Sequence, residues 1–422
     1  MPLPRVAVAV RFLMLCALVL GGACADTSTA ANLTPVVRDS AGIEIVEHSA
    51  ELIAALPEWG VVGEPVVELG GGDHPAEEFT SIRGAVRLPD GRILITEGGS
   101  SELRLFDSLG AYLTTWARRG QGPGEFTSIG LPHLGPGDEV LVADANARRT
   151  AVFDTAGRFI RQIIHPRSSE EGVYLGVAGH LPDGRVLLQS NRFGNAPGAL
   201  GGPVRRDTFA MVMAPESGAP LDTVALLPGP ELYDVQFQEG EFEGIGQKSP
   251  AFGRSTYMAV SAASGWLLIG TNEGNEVRVY VDGAIRQILR DLTAAEPVLP
   301  EHRDRYVQEE LARLERGSVP EALKAQWLAN AERDRRYAEA FPFYERLLFG
   351  TDGSIWVEGN RRFEDQGRRY VVYDRTGRAL ARATFPDRVR PLQVGPTEMI
   401  GMWRDPDDVV HLRVWRVGPV VR

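Results

Sequence analysis

Chemistry in this chain has to come from histidines, carboxylates or hydroxyls, because its two cysteines, Cys16 and Cys24, both lie at the N-terminus. The rest of the chain therefore has no thiol nucleophile and no cysteine-held metal. The seven histidines, His48, His74, His133, His165, His180, His302 and His411, are scattered, with no pair at the spacing of a helical zinc motif. Neither a Gly-x-Ser-x-Gly elbow nor a phosphate-binding loop occurs. What remains is a set of residues at one position relative to a recurring turn, seven before it: Arg83, Gly130, Gly176, Tyr257, Glu345 and Met399. Arg83, Tyr257 and Glu345 offer a guanidinium, a phenol and a carboxylate, which together could hold a small polar or anionic ligand at a channel mouth. The plainer alternative is a rim of ion pairs and hydrogen bonds. Four before the turn, His133 shares its position with Val86, Gly179, Val260, Leu348 and Met402, which suits a histidine packed between sheets; His180 falls one register further on.

The turns that define this register belong to a repeat: an apolar strand, an Asp-Gly turn, a second strand, then Phe-Asp-x-x-Gly and another strand. The clearest copy runs from Gly84 through Pro89-Asp90-Gly91 and Ile93-Leu94-Ile95 to Phe106-Asp107-Ser108-Leu109-Gly110. Asp-Gly supplies the positive φ of a tight hairpin, and the Asp of Asp-x-x-Gly caps its own turn. Asp107, Asp154 and Asp374 read as such turn formers, not as paired catalytic carboxylates. Six turns align, at 90, 137, 183, 264, 352 and 406, and two of their intervals, 81 and 88, far exceed the roughly 40 to 50 residues of a propeller blade, which implies insertions. Each unit is a small antiparallel sheet that must bury both faces, and packing such sheets around an axis does so.

Between units stands Gly120-Gln121-Gly122-Pro123-Gly124-Glu125-Phe126. This motif, followed by an inner strand, Asp-Gly, a second strand and Phe-Asp-x-x-Gly, resembles the NHL-repeat propellers. The likeness is strong over 79–165 and recognisable over 345–385. The fold expected is all-β: a six-bladed β-propeller with a helical hairpin insertion between blades four and five. Val37 to Val46 copies the Asp-x-x-Gly hairpin without a first half, so N-terminal strands are expected to close the last blade. That gives one propeller domain over 36–420, with the helical insertion at 293–340. Val307, Leu311 and Leu314 mark its first helix, and Ser318-Val319-Pro320-Glu321 starts a second through Trp327. Enzymes of similar propeller fold, the amidating lyases and the calcium-dependent lactonases, set metal ligands around the channel mouth; no such ring is recovered in register here.

Residues 1–25 have the layout of a signal peptide: Arg5 and Arg11, an apolar run from Phe12 to Leu20, then small residues. Cleavage after Ala25 and lipidation at Cys24 both fit, so export to the periplasm, the cell surface or the outside is expected, with any membrane contact made through a lipid at Cys24. The 45 basic against 56 acidic residues, a net −11, offer no field for a phosphate backbone, which argues against nucleic acid. The function expected is a binding or scaffolding module at the cell envelope for a protein or small polar ligand, without a cofactor. The alternative is a calcium- or zinc-dependent propeller enzyme of lactonase or amidating-lyase type.

Overall fold

Alternating apolar strands broken by Asp and Gly turns produce five hydrogen-bonded sheets in the computed structural model, which describes residues 33–72, 74–192, 202–216, 221–239, 242–316, 335–363 and 365–420. Sheet I is the meander Ile82–Arg87, Ile93–Glu97, Glu102–Phe106 and Tyr112–Ala117; sheet II is Ile129–Leu134, Val140–Asp144, Arg149–Phe153 and Phe159–Ile164. Sheet III has five strands, Val173–His180, Val186–Arg192, Arg205–Ala214, Asp222–Glu239 and Phe242–Lys248. Sheet IV runs Tyr257–Val260, Leu267–Gly270, Glu276–Val281 and Ala284–Asp291, and carries the hairpin Val36–Ser40 and Ile43–His48 on its outer edge. Sheet V has eight strands: Tyr344–Phe349, Ile355–Gly359, Gly367–Tyr373 and Ala379–Pro386, then Glu58–Leu69, Val410–Pro419, Glu398–Arg404 and Val389–Val394.

The first strands of sheets I and II, III and IV, and IV and V lie side by side, sheets II and III share an apolar core, and Val389–Val394 at the end of sheet V returns to Ile82–Arg87 of sheet I. This is the propeller arrangement. Close approach between first strands needs small residues: a Cβ on Gly84 would stand 2.7 Å from Pro132 Cδ, and one on Gly179 would collide with Val260. Apolar cores fill the spaces between sheets, with Phe106, Phe126, Phe153, Trp356 and Phe385 fully buried. Burial of these faces supplies the main drive to fold.

The Asp turns form as their sequence dictates. Asp107 Oδ1 accepts from Leu109 N and Ala111 N, both at 2.8 Å, and Asp154 and Asp374 repeat the pattern. A second device was not evident in the sequence. In sheets I and II the last residue of the second strand is a buried carboxylate that ties the segment leading into the first strand. Glu97 accepts from Thr80 N, Ser81 N and Ser100 N; Asp144 accepts from Thr127 N, Ser128 N and Ala147 N. Asp144→Asn turns one acceptor into a donor facing an N–H group, so it is expected to cost roughly 2 kcal/mol in equilibrium urea unfolding. A cost below about 0.5 kcal/mol would show that these bonds do not hold the loop.

Two expectations need correction. The segment that pairs with the C-terminal strands is Glu58–Leu69, antiparallel to Val410–Pro419, whereas the Val37 to Val46 hairpin adds in parallel to Ala284–Asp291 of sheet IV. The Asp-x-x-Gly signature is purely local and carries no information about which edge its hairpin joins. The turn at 405–408 also differs. It joins the second and third strands of its half-sheet, and the equivalent of the Asp-Gly turn is Gly395-Pro396-Thr397. Asp405 caps it as in Asp-x-x-Gly, accepting from Asp407 N at 2.9 Å and Val409 N at 2.8 Å, with Asp408 at φ 64° in place of the glycine. Met399 and Met402 therefore do not belong to the rings containing Glu345 and His133; Met399 is fully buried in a second strand. Among the described residues one helix, Pro300–Arg316, stands between sheets IV and V in the chain, where Tyr306 and His302 pack on Phe252 and Phe341 respectively. The expected second helix lies outside the described residues, as do residues 1–25 and Cys24.

Candidate functional site

The loops that precede the first strands gather at one mouth of the channel, and two of the three residues expected there come together. Glu345 is the second residue of the first strand of sheet V, and Tyr257 opens the first strand of sheet IV. Glu345 is tied to a buried charge cluster: Arg368 Nη1 stands 3.6 Å from its Oε1 and 2.6 Å from Glu358 Oε1. Glu358 is 1% exposed and also accepts from the Tyr370 hydroxyl at 2.7 Å. Arg346 lies directly opposite Glu358 in the ladder, and its Nη1 is buried without a hydrogen-bond partner.

This setting changes the acid–base character of the groups. Burial, then the neighbouring Glu358 charge, raises the Glu345 carboxyl above its ordinary range, although its side chain keeps 29% exposure. Burial, then Glu345 and Glu358, raises the Tyr257 phenol, so it remains a hydrogen-bond donor. Burial lowers Arg346. An accessible carboxyl, a phenol and a fixed guanidinium can between them donate to and accept from the hydroxyls of a ligand. Arg83 stays apart. It is exposed and lies over Gly98, whose Cβ would stand 2.6 Å from Arg83 Nε, and among the described residues no contact joins it to Tyr257 or Glu345.

The opposite mouth, where the Asp-Gly turns lie, holds a cavity of about 450 Å³ lined by Arg87, His133, Trp266, Phe349, Arg375 and Gln393, among others. Behind it is a chain of histidines that register counting kept separate. The His133 and His180 rings are 5.8 Å apart, His180 Nε2 is 2.6 Å from Thr150 Oγ1, and the same hydroxyl is 2.9 Å from His165 Nε2. A hydroxyl can donate to one ring and accept from the other. His180 Nδ1 is buried without a partner. Burial brings His133 and His165 down to about 4, and burial, with the two neighbouring rings, brings His180 down to about 3. All three are neutral at pH 7.

The other histidines have structural duties. His48 bonds to Ala379 N at 3.2 Å, His74 caps a turn, His302 packs on Phe341, and His411 lies between Asp405 and Glu68. Among the described residues no group of three or more His, Cys, Asp or Glu side chains is placed to hold a metal ion.

No protein-family model matches the chain, and no curated protein matches it. Solved structures do. A DUF4221-family protein from Bacteroides vulgatus is similar at 11% identity and TM-score 0.50, over 86% of this chain and all of that one. A Bacteroides fragilis protein described as exported has 12% identity and TM-score 0.43, over 88% of this chain and 99% of the other. Virginiamycin B lyase from Staphylococcus aureus has 12% identity and TM-score 0.36, over 82% and 98%. Identities this low speak to fold alone. The chain is an all-β protein of propeller fold.

Proposed function

We propose that this chain is an exported, six-bladed, NHL-like propeller that binds a small polar ligand of sugar or polyol type at the loop-side mouth of its channel. In this reading the eight-stranded sheet is two blades joined along their outer edges by Glu58–Leu69, the strand that closes the ring. The observation that carries the function is the accessible Glu345 carboxyl set 3.6 Å from Arg368 Nη1, the nitrogen that Glu358 holds at 2.6 Å. Tyr257 adds a ring face and a donor, and Arg83 marks the rim on the far side. Export, with release by cleavage or retention by a lipid on Cys24, places the module in the periplasm or at the cell surface.

The alternative, a calcium- or zinc-dependent lactonase or lyase, requires a set of ligands that the described side chains do not assemble. The test is a melting screen of the full chain against sugars, polyols, amino acids and carboxylates. A ligand at about 100 times its Kd adds about 2.7 kcal/mol and raises Tm by a few degrees. We expect this from sugars or polyols, with the rise lost in Tyr257→Phe. A screen with no response from either class, or an equal response in the variant, would overturn the reading.

A further inference from the structure

We infer that the cavity at the turn-side mouth is a second small-molecule site, separate from the loop-side cluster, and that its ligand is an aromatic carboxylate. Its volume of about 450 Å³ falls within the range of small-molecule pockets. Its lining is half apolar, with Leu134, Trp266 and Phe349 offering flat or branched surface to a ring.

Its charge is one-sided. Among the described residues no carboxylate lines it, and two guanidinium groups do. Arg87 is already neutralised: Glu398 grips it through Nε and Nη2 at 2.7 and 2.9 Å, and Nη1 donates to Gly91 O at 2.6 Å. Arg375 differs. Its Nε donates to the Asp352 carbonyl at 2.8 Å, which fixes the group, and among the described residues no carboxylate pairs with it. An orientated guanidinium without a counter-ion at the rim of an aromatic-lined cavity is suited to take up a carboxylate.

The polar groups opposite are neutral. His133 lines the cavity and makes no hydrogen bond with a described residue, and Gln393, held by Arg87 N through its Oε1, keeps its amide donors available. A carboxylate on Arg375 with its ring against Trp266 and Phe349 could accept from either. Since the cavity opens where the Asp-Gly turns lie, such a ligand would enter without passing the Glu345 cluster.

The test uses calorimetric titration of the full chain with benzoate and phenylacetate, compared with benzamide and phenylacetamide, which keep the shape and lose the charge. One or both acids are expected to bind saturably, and the matching amide about tenfold more weakly, the size of a charge-assisted pair. Arg375→Gln, an exposed change, should weaken the acid by about tenfold while leaving the amide unchanged. Ala263→Trp, at an exposed position on the lining, should abolish both. If Ala263→Trp does not fold, the acid–amide comparison and Arg375→Gln still decide. No saturable binding of either acid, equal binding of acid and amide, or full affinity in Arg375→Gln would each overturn the proposal.

Discussion

Acidification from pH 6.5 to pH 4 is expected to remove stability from this fold more steeply than its surface carboxylates would. His165 and His180 are 3% and 2% exposed, and burial holds them at about 4 and about 3 against an ordinary 6.5. Above 6.5 both folded and unfolded chains carry these rings neutral, so the full stability is present. Below 6.5 the unfolded chain takes up protons that the folded one refuses, and stability falls until the pH reaches the folded values. For His165 alone the loss is on the order of 3 kcal/mol by pH 4. His180 adds to it, because its protonated form would face His133 and His165 with one nitrogen unpartnered. Urea unfolding at pH 7, 5.5 and 4.5 measures the slope, and His165→Gln, which can still bond to Thr150, should flatten it. An unchanged slope in that variant would mean that His165 is not the neutral, buried group described.

Glu358→Leu is expected to destabilise the protein by about 3–5 kcal/mol, the cost of leaving buried cationic partners uncompensated. Arg368 and Tyr370 both spend hydrogen bonds on this carboxylate, and Arg346 stands opposite it with one nitrogen already unpaired. The penalty comes from the groups left behind. The double variant Glu358→Leu with Arg368→Met should therefore recover a good part of it, even though more native bonds are lost. Equilibrium urea unfolding of both variants checks this. If the double variant were less stable than the single one, the cluster would be held by packing and not by charge.

The architecture was legible where the physics is local. Asp and Gly at the turns impose their own geometry, so the strands of sheets I and II and the roles of Asp107, Asp154 and Asp374 follow from the residues alone. What failed was long-range or degenerate. Nothing in Val37 to Val46 specifies its partner edge, and Asp405-Pro406-Asp407-Asp408 was aligned with the wrong turn because Asp408 adopts the conformation that glycine takes elsewhere. That slip moved Met399 and Met402 into rings they do not occupy.

The candidate site was half legible. Counting seven back from the turns brings Tyr257 and Glu345 together because first strands share a register, but the exposed Arg83 side chain lies over Gly98 instead. Glu358, Arg368 and Arg346 were missed, since they come from second, third and first strands and no spacing rule couples them. The histidine chain did leave a trace. His133 and His180 are 47 residues apart against a turn spacing of 46, so they fall one register apart on neighbouring sheets. Thr150, which bridges His180 to His165, leaves no such sign, because only the folded sheet brings its hydroxyl to both rings.

The loop-side mouth as a ligand site is tested most directly by calorimetric titration of the full chain with the sugar or polyol that most raises its melting temperature, wild type against Glu345→Gln. Binding about tenfold weaker in the variant, with folding intact, is the predicted result, because the amide cannot supply the same pair of oxygens to a hydroxyl ligand. Equal affinity in the two proteins would contradict it and would remove Glu345 from the site.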